Sequence, residues 1–212
     1  MKSKTYYEIS LTKRKMTHTP VKLTFEQYLE YDDGTDNSYE VFDGELRPVP
    51  SESELNSWIA QYLGRKFETF VTMRQVKLQK LDLAVPVFPR MPINRQPDLT
   101  VVRPEHIQQM AKLGKMAITL DMAPPQLVVE VVSPYRNQKD ENYQRDYIDK
   151  VHQYQERGIP EYWIVDPIAQ LVTVLVLVNG SYQATEFSGN QRIVSRTFPE
   201  LELTAEQVLE AR

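Results

Sequence analysis

Glu130 is the residue whose surroundings ask most of chemistry. It stands inside Leu127-Val128-Val129-Glu130-Val131-Val132, a run that is apolar on both faces. Such a run marks a central strand covered on both sides. A carboxylate there leaves water at a cost of several kcal/mol unless it is paired, hydrogen-bonded or bound to metal. Two readings are evenly matched at this point: a structural salt bridge or protonated glutamate, and a metal ligand near the strand end. Asp98 follows Pro97 and opens a second apolar strand, Leu99 to Val102. Taken alone, Pro-Asp is an ordinary strand-start pair. Two acids at the ends of two apolar strands, however, form an oxygen-rich pocket of the kind Mg²⁺ accepts, with waters completing its shell.

Lys150 is the third such residue. At about 100° per residue, Tyr143, Tyr147, Val151 and Tyr154 share one face of a helix read from Asn142 to Arg157. That face packs on the sheet, and Asp149, Gln153 and Glu156 lie on the solvated side. Lys150 falls at the border, where its stem can follow the aromatic face and carry the ammonium toward the preceding strand. Asp146 precedes it by four residues, so an i,i+4 pair is open to it. The plain alternative is a solvated lysine with a weak ion pair.

These residues need elements to position them. Thr24 to Leu29 reads as a Thr-capped helix. Tyr39 to Val49 reads as a hairpin about Asp43-Gly44, and Leu171 to Val178 pairs with Tyr182 to Phe187 about Asn179-Gly180. Ser51 to Phe70 is a helix in which Ser51 and Glu54 fit a capping box. Thr72 to Arg103 is extended and Pro-rich. Glu105 to Lys115 is a short helix or lid. Gln126 to Val132 is a strand, followed by the helix ending at Gly158 and a strand from Glu161 to Val165. Pro199 to Arg212 closes the chain with a helix capped by Thr204. A strand, helix and strand between Leu127 and Val165 imply a right-handed crossover and a buried parallel pair. The expected fold class is α/β (α+β), a mixed central sheet flanked by helices.

Composition narrows the field. The chain has 212 residues, room for a single domain over 1–212. It carries 25 Lys and Arg against 29 Asp and Glu, a formal charge of −4. Coating nucleic acid by bulk charge is excluded, although a local basic groove is not. No cysteine is present, so disulfides, thiolate metal sites, Cys nucleophiles and iron–sulfur clusters are excluded. Three scattered histidines do not make a zinc site. No stretch approaches the roughly 20 apolar residues of a membrane span, and the N-terminus has no apolar core of a secretory signal. A soluble, cytoplasmic protein is expected, with a basic arm over about residues 1–22. Arg65, Lys66, Arg74, Lys77 and Lys80 are further cations for a groove, or simply solvated faces.

QPDLTVV, LVVEVVSP and DYIDKVHQYQERGIPEYWIVDP, with YEVFDGEL and SESELNSWIA nearer the front, resemble the Uma-type family of putative restriction endonucleases. That family is a branch of the PD-(D/E)xK nuclease superfamily. The resemblance implies a restriction-endonuclease-like core and hydrolysis of phosphodiester bonds, with DNA, in duplex form, as the expected partner. It implies Asp98 and Glu130 as ligands of Mg²⁺, for which Mn²⁺ is a substitute. Val132 stands where the superfamily's strand lysine usually is, and Lys150 takes the place of that lysine from the helix. A glutamate on the first core helix is also implied: Glu54 is the match, Glu40 its rival. Symmetric homodimers suit enzymes that cut two strands, and the strand Leu171 to Val178 offers apolar surface for edge pairing or packing. Val132 also leaves open a nuclease fold that binds nucleic acid or protein without cutting.

Overall fold

The computed structural model describes residues 22–35 and 37–211; apart from Lys22, the basic arm lies outside them. The order is α1 (Phe25–Leu29), β1 (Tyr39–Phe42), β2 (Glu45–Pro48), α2 (Glu54–Phe67), β3 (Val76–Leu78), β4 (Asp82–Ala84), β5 (Asn94–Arg95), β6 (Leu99–Val101), α3 (Pro104–Leu113), β7 (Ala117–Ile118) and β8 (Leu127–Val131). Next come α4 (Glu141–Gln144), a π-helical turn (Arg145–Asp149) and α5 (Lys150–Glu156), stacked end to end as one helix. Strands β9 (Glu161–Asp166), β10 (Leu171–Val178) and β11 (Ser181–Phe187) and helix α6 (Ala205–Leu209) finish the chain.

The central sheet has six strands in the order β11-β10-β9-β8-β6-β3. Only β8 and β9 run parallel, with Glu130 opposite Ile164; the other neighbours are antiparallel. The strand–helix–strand unit is thus present as the sequence predicts, and the fold is mixed α+β. Alternation along β8 divides the core. Leu127, Val129 and Val131 face α2 and α6, packing with Ile59, Leu63, Phe67 and Val208. Phe67 meets Trp163 edge-on at 5.6 Å and stacks on Phe198 at 4.9 Å. Val128 and Val132 face α5, beside Tyr154, Tyr162 and Ile164. Glu130 projects to this second side, under the helix that carries Lys150. A small sheet, β5-β4-β7, lies beyond that helix.

Both Asx-Gly hairpins form, with Asp43 and Gly44 at φ 49° and 84° and Asn179 and Gly180 at 50° and 82°. Three expectations change, and the helix-or-lid alternative for the segment after β6 resolves as a helix. The cap of α2 is Ser53, whose side chain accepts from Asn56 N, so the Ser51–Glu54 box is not used. Gln153 is fully buried rather than solvated. The segment linking β4 and β5 covers the outer side of the helix, and Gln153 donates there to the Pro86 and Pro92 carbonyls and accepts from Arg95. Helix α3 is fastened rather than lid-like, because buried His106 bonds Ala123 O at 2.9 Å and the Arg103 N–H. Strand β10 lies between β9 and β11, so it offers no edge to a second copy. Among the described residues, no helix is long and apolar enough to cross a membrane.

The C-terminal segment is locked on by Glu161 at the start of β9. This fully buried carboxylate accepts from Trp163 Nε1 and Ser195 Oγ, both at 2.7 Å, and from Thr197 N at 2.6 Å. Glu161→Ala orphans all three donors, and we expect it to cost about 3 kcal/mol in urea unfolding.

Candidate active site

Strand β8 ends where three elements converge. Its last residue, Val131, organises them through its backbone. The N–H of Val131 donates to Asp98 Oδ2 at 2.7 Å, fixing the aspartate that enters from the start of β6. The carbonyl of Val131 accepts from Asn56 Nδ2 at 3.2 Å, tying down the first turn of α2, and the same amide reaches Glu52 Oε2 at 3.3 Å. Asp98 is 5% exposed and Glu130 2%, so both carboxylates have shed most of their water.

From the other side comes Lys150, whose Nζ lies 2.9 Å from Glu130 Oε2 and 2.9 Å from Asp146 Oδ1. The i,i+4 partner that the helix pattern allows is real and buried. Glu130 Oε1 accepts from Tyr154 OH at 2.5 Å. Arg145 forks onto both oxygens of Asp146 at 2.9 Å and reaches Ser133 Oγ at 2.9 Å. These contacts sit on the π-turn, in which the Lys150 N–H donates to Arg145 O instead of Asp146 O. One extra residue per turn changes which side chains face the sheet, and such turns recur at functional sites.

Electrostatics follow from this packing. Burial, and then the charges of Glu130 and Glu52, push the Asp98 carboxyl well above the usual carboxylate value; Lys150 and the Val131 N–H oppose the shift without cancelling it. Partial burial and the Glu130 charge also raise Glu52. Asp146 feels the same burial, yet Lys150 and Arg145 prevail and hold it down at about 2. Burial works against the Lys150 charge, but Asp146 and Glu130 outweigh it and keep its pKa above the ordinary lysine value. Burial and Glu130 push Tyr154 well up, so it remains a donor.

Asp98, Glu130 and Lys150 thus line one cavity of about 510 Å³. Glu54 does not line it: it is the first residue of α2 and exposed. Glu52, two residues earlier, lines the cavity instead. The serines at 51 and 53 are both good caps, and nothing in the sequence decides between them; with Ser53 as the cap, exposed Glu52 stands at the cavity mouth and accepts from Asn56 Nδ2. Glu40 lines the cavity as well, but pairs with fully buried Arg95 at 3.1 Å. Asp146, Arg145 and Tyr154 join the site beyond the residues that the sequence marks for it; the acid one turn before Lys150 signals the first.

The donor set is compatible with a hard divalent cation: three acidic side chains crowd one lysine, and Mg²⁺ needs only one or two carboxylates with water. Among the described residues, no cluster of three or more His, Cys, Asp or Glu is spaced as a metal cage, so the fit rests on Asp98 and Glu130 with waters. Lys77 and Arg74 line a separate hollow beside α3 and do not line the cavity.

A family model described as "Putative restriction endonuclease" (Uma2) matches residues 25–206. Among solved structures, the chain is similar to a putative nuclease of the DUF820 group from Anabaena variabilis. The two are 17% identical over 89% of this chain and 98% of that one, with a TM-score of 0.62. At that identity the likeness speaks for the fold. No curated protein matches the sequence.

Proposed function

Because the chain belongs to the Uma2 family of putative restriction endonucleases, we propose that it is a Mg²⁺-dependent endonuclease that hydrolyses phosphodiester bonds of duplex DNA. The observation that supports this best is the meeting of Asp98, Glu130 and Lys150 in one cavity from three separate elements. Asp98 and Glu130 are the residues that would hold Mg²⁺, or Mn²⁺ in its place. Bound there, the metal would polarise the phosphoryl oxygen and lower the pKa of a water. Lys150, an ammonium held between two carboxylates, orients that water and offsets negative charge developing on the phosphate. Glu52, at the mouth, holds a further water. Asn56 and the Val131 backbone keep Glu52 and Asp98 in register. A homodimer that cuts both strands is part of the same proposal.

Plasmid nicking in Mg²⁺ tests the reading. We expect relaxed and linear DNA from the wild type, none with EDTA, and none from Asp98→Ala. Equal activity of wild type and variant would defeat the assignment. One observation favours a second reading, a nuclease fold that binds without cutting: both Glu130 oxygens already have donors, Lys150 and Tyr154. Calorimetry with Mn²⁺ separates the two, since a binding module has no need of the metal and gives no heat.

A further inference from the structure

The cavity runs on into a second hollow of about 230 Å³, and Glu52 and Asp98 line both. The positive charges in this continuous groove fall into two kinds. Lys150 and Arg145 are consumed by Glu130 and Asp146. Arg47 lines the first hollow and Lys80 the second. Neither has an ion-pair partner among the described residues. Among the described residues, these two unpaired cations therefore stand one in each of the hollows that share Glu52 and Asp98.

Arg47 is held by its side chain, and Lys80 by the backbone turn it stands on. Arg47, on β2, places its guanidinium carbon 4.2 Å above the centre of the Phe42 ring. The ring steadies the plane by cation–π attraction and leaves the N–H edges free for a bidentate anion. Lys80 follows β3 through two consecutive left-handed residues, Gln79 at φ 50° and Lys80 at φ 51°. The Gln79 N–H is bonded to the Asp98 carbonyl at 3.1 Å, so this turn is registered on the candidate metal ligand itself. Glycine adopts that conformation without strain, whereas lysine does not. A strained lysine beside a carboxylate centre is the pattern of a side chain retained for what it touches.

Resting on the nuclease reading above, we propose that Arg47 and Lys80 grip the backbone phosphates on either side of the scissile one. The substrate is then a continuous polynucleotide strand running through the groove, and not a terminal nucleotide.

The test is the salt dependence of binding to a labelled DNA duplex of about 20 base pairs, in Ca²⁺, between about 50 and 200 mM KCl. Fluorescence anisotropy is read for the wild type, Arg47→Gln, Lys80→Gln, Lys80→Gly and the Arg47→Gln/Lys80→Gly pair. Each single change is expected to lower the slope of log K against log[salt] by about 0.9, and the pair by about 1.8. Lys112→Gln, on α3 away from the groove, should leave it unchanged. Lys80→Gly should match or exceed the wild-type Tm while losing the same slope as Lys80→Gln, which a merely structural lysine would not do. Wild-type binding with undiminished slopes in the Arg47 and Lys80 variants, or an equal fall for Lys112→Gln, overturns the grip and leaves the nuclease reading standing. A wild type that binds no duplex at any salt overturns both.

Discussion

Lys150→Met should cost about 3 kcal/mol of folding free energy and about a thousandfold in nicking rate, two losses with one origin. The methionine keeps an unbranched apolar stem and removes the ammonium. Glu130 is then a carboxylate 2% exposed with Tyr154 as its one remaining donor, and breaking a buried pair from one side is far costlier than never having had it. Asp146 suffers less, because Arg145 still forks onto it. Adding Glu130→Gln to Lys150→Met should return most of the stability, since the orphaned charge is gone, while activity stays lost. Chemical denaturation of the two single variants and the double variant gives the coupling energy directly. Because the Lys150 pKa is raised by folding, its stabilising contribution is complete below the ordinary lysine value of about 10.4 and fades as pH rises through the folded-state value.

Asp98→Asn is expected to separate activity from stability in the opposite sense. The amide oxygen can still accept the Val131 N–H, so the local geometry survives. The negative charge does not, and with it goes a ligand for the metal; nicking should drop below detection, at least about a thousandfold. Metal-free stability should rise. The Asp98 carboxyl is raised by burial and by Glu130 and Glu52, so in the folded protein the ionised form is disfavoured. That destabilisation is absent below the ordinary carboxylate value of about 3.9, grows as pH rises toward the folded-state pKa, and is complete above it. The variant should therefore outlast the wild type at neutral pH in EDTA, and the gap should close on acidification. Thermal melts at two pH values, with and without Mn²⁺, read both effects. A variant less stable than the wild type at pH 7 would show that the aspartate is a structural pair and not a strained ligand.

What the sequence discloses and what it hides have separate physical causes. The burial of Glu130 is legible because it stands in an apolar six-residue run, and β8 is buried at every position; whether that carboxylate serves a salt bridge or a metal is not legible there. The parallel pair of β8 and β9 follows from the intervening helix, and the two Asx-Gly turns state their own φ signs. Lys150 draws notice through its border position on the helix together with Asp146 one turn before it; the sequence alone leaves a solvated lysine as the alternative, and the structure pairs its ammonium with Glu130 and Asp146. Gln153 misleads because helical periodicity assumes one buried side, whereas this helix is covered on both. Glu52 stays hidden because the cap choice between Ser51 and Ser53 is decided by the tertiary bond from Asn56 to the Val131 carbonyl. The π-turn leaves no sequence trace at all, and regular i,i+4 spacing would already bring Asp146 and Lys150 together.

Val132 is 1% exposed on the Glu130 side of the sheet, packed with Tyr154 and Ile164, so strand β8 itself has no space to seat a cation next to Glu130. The positive charge that Glu130 meets is delivered from the neighbouring helix, by Lys150 at 2.9 Å.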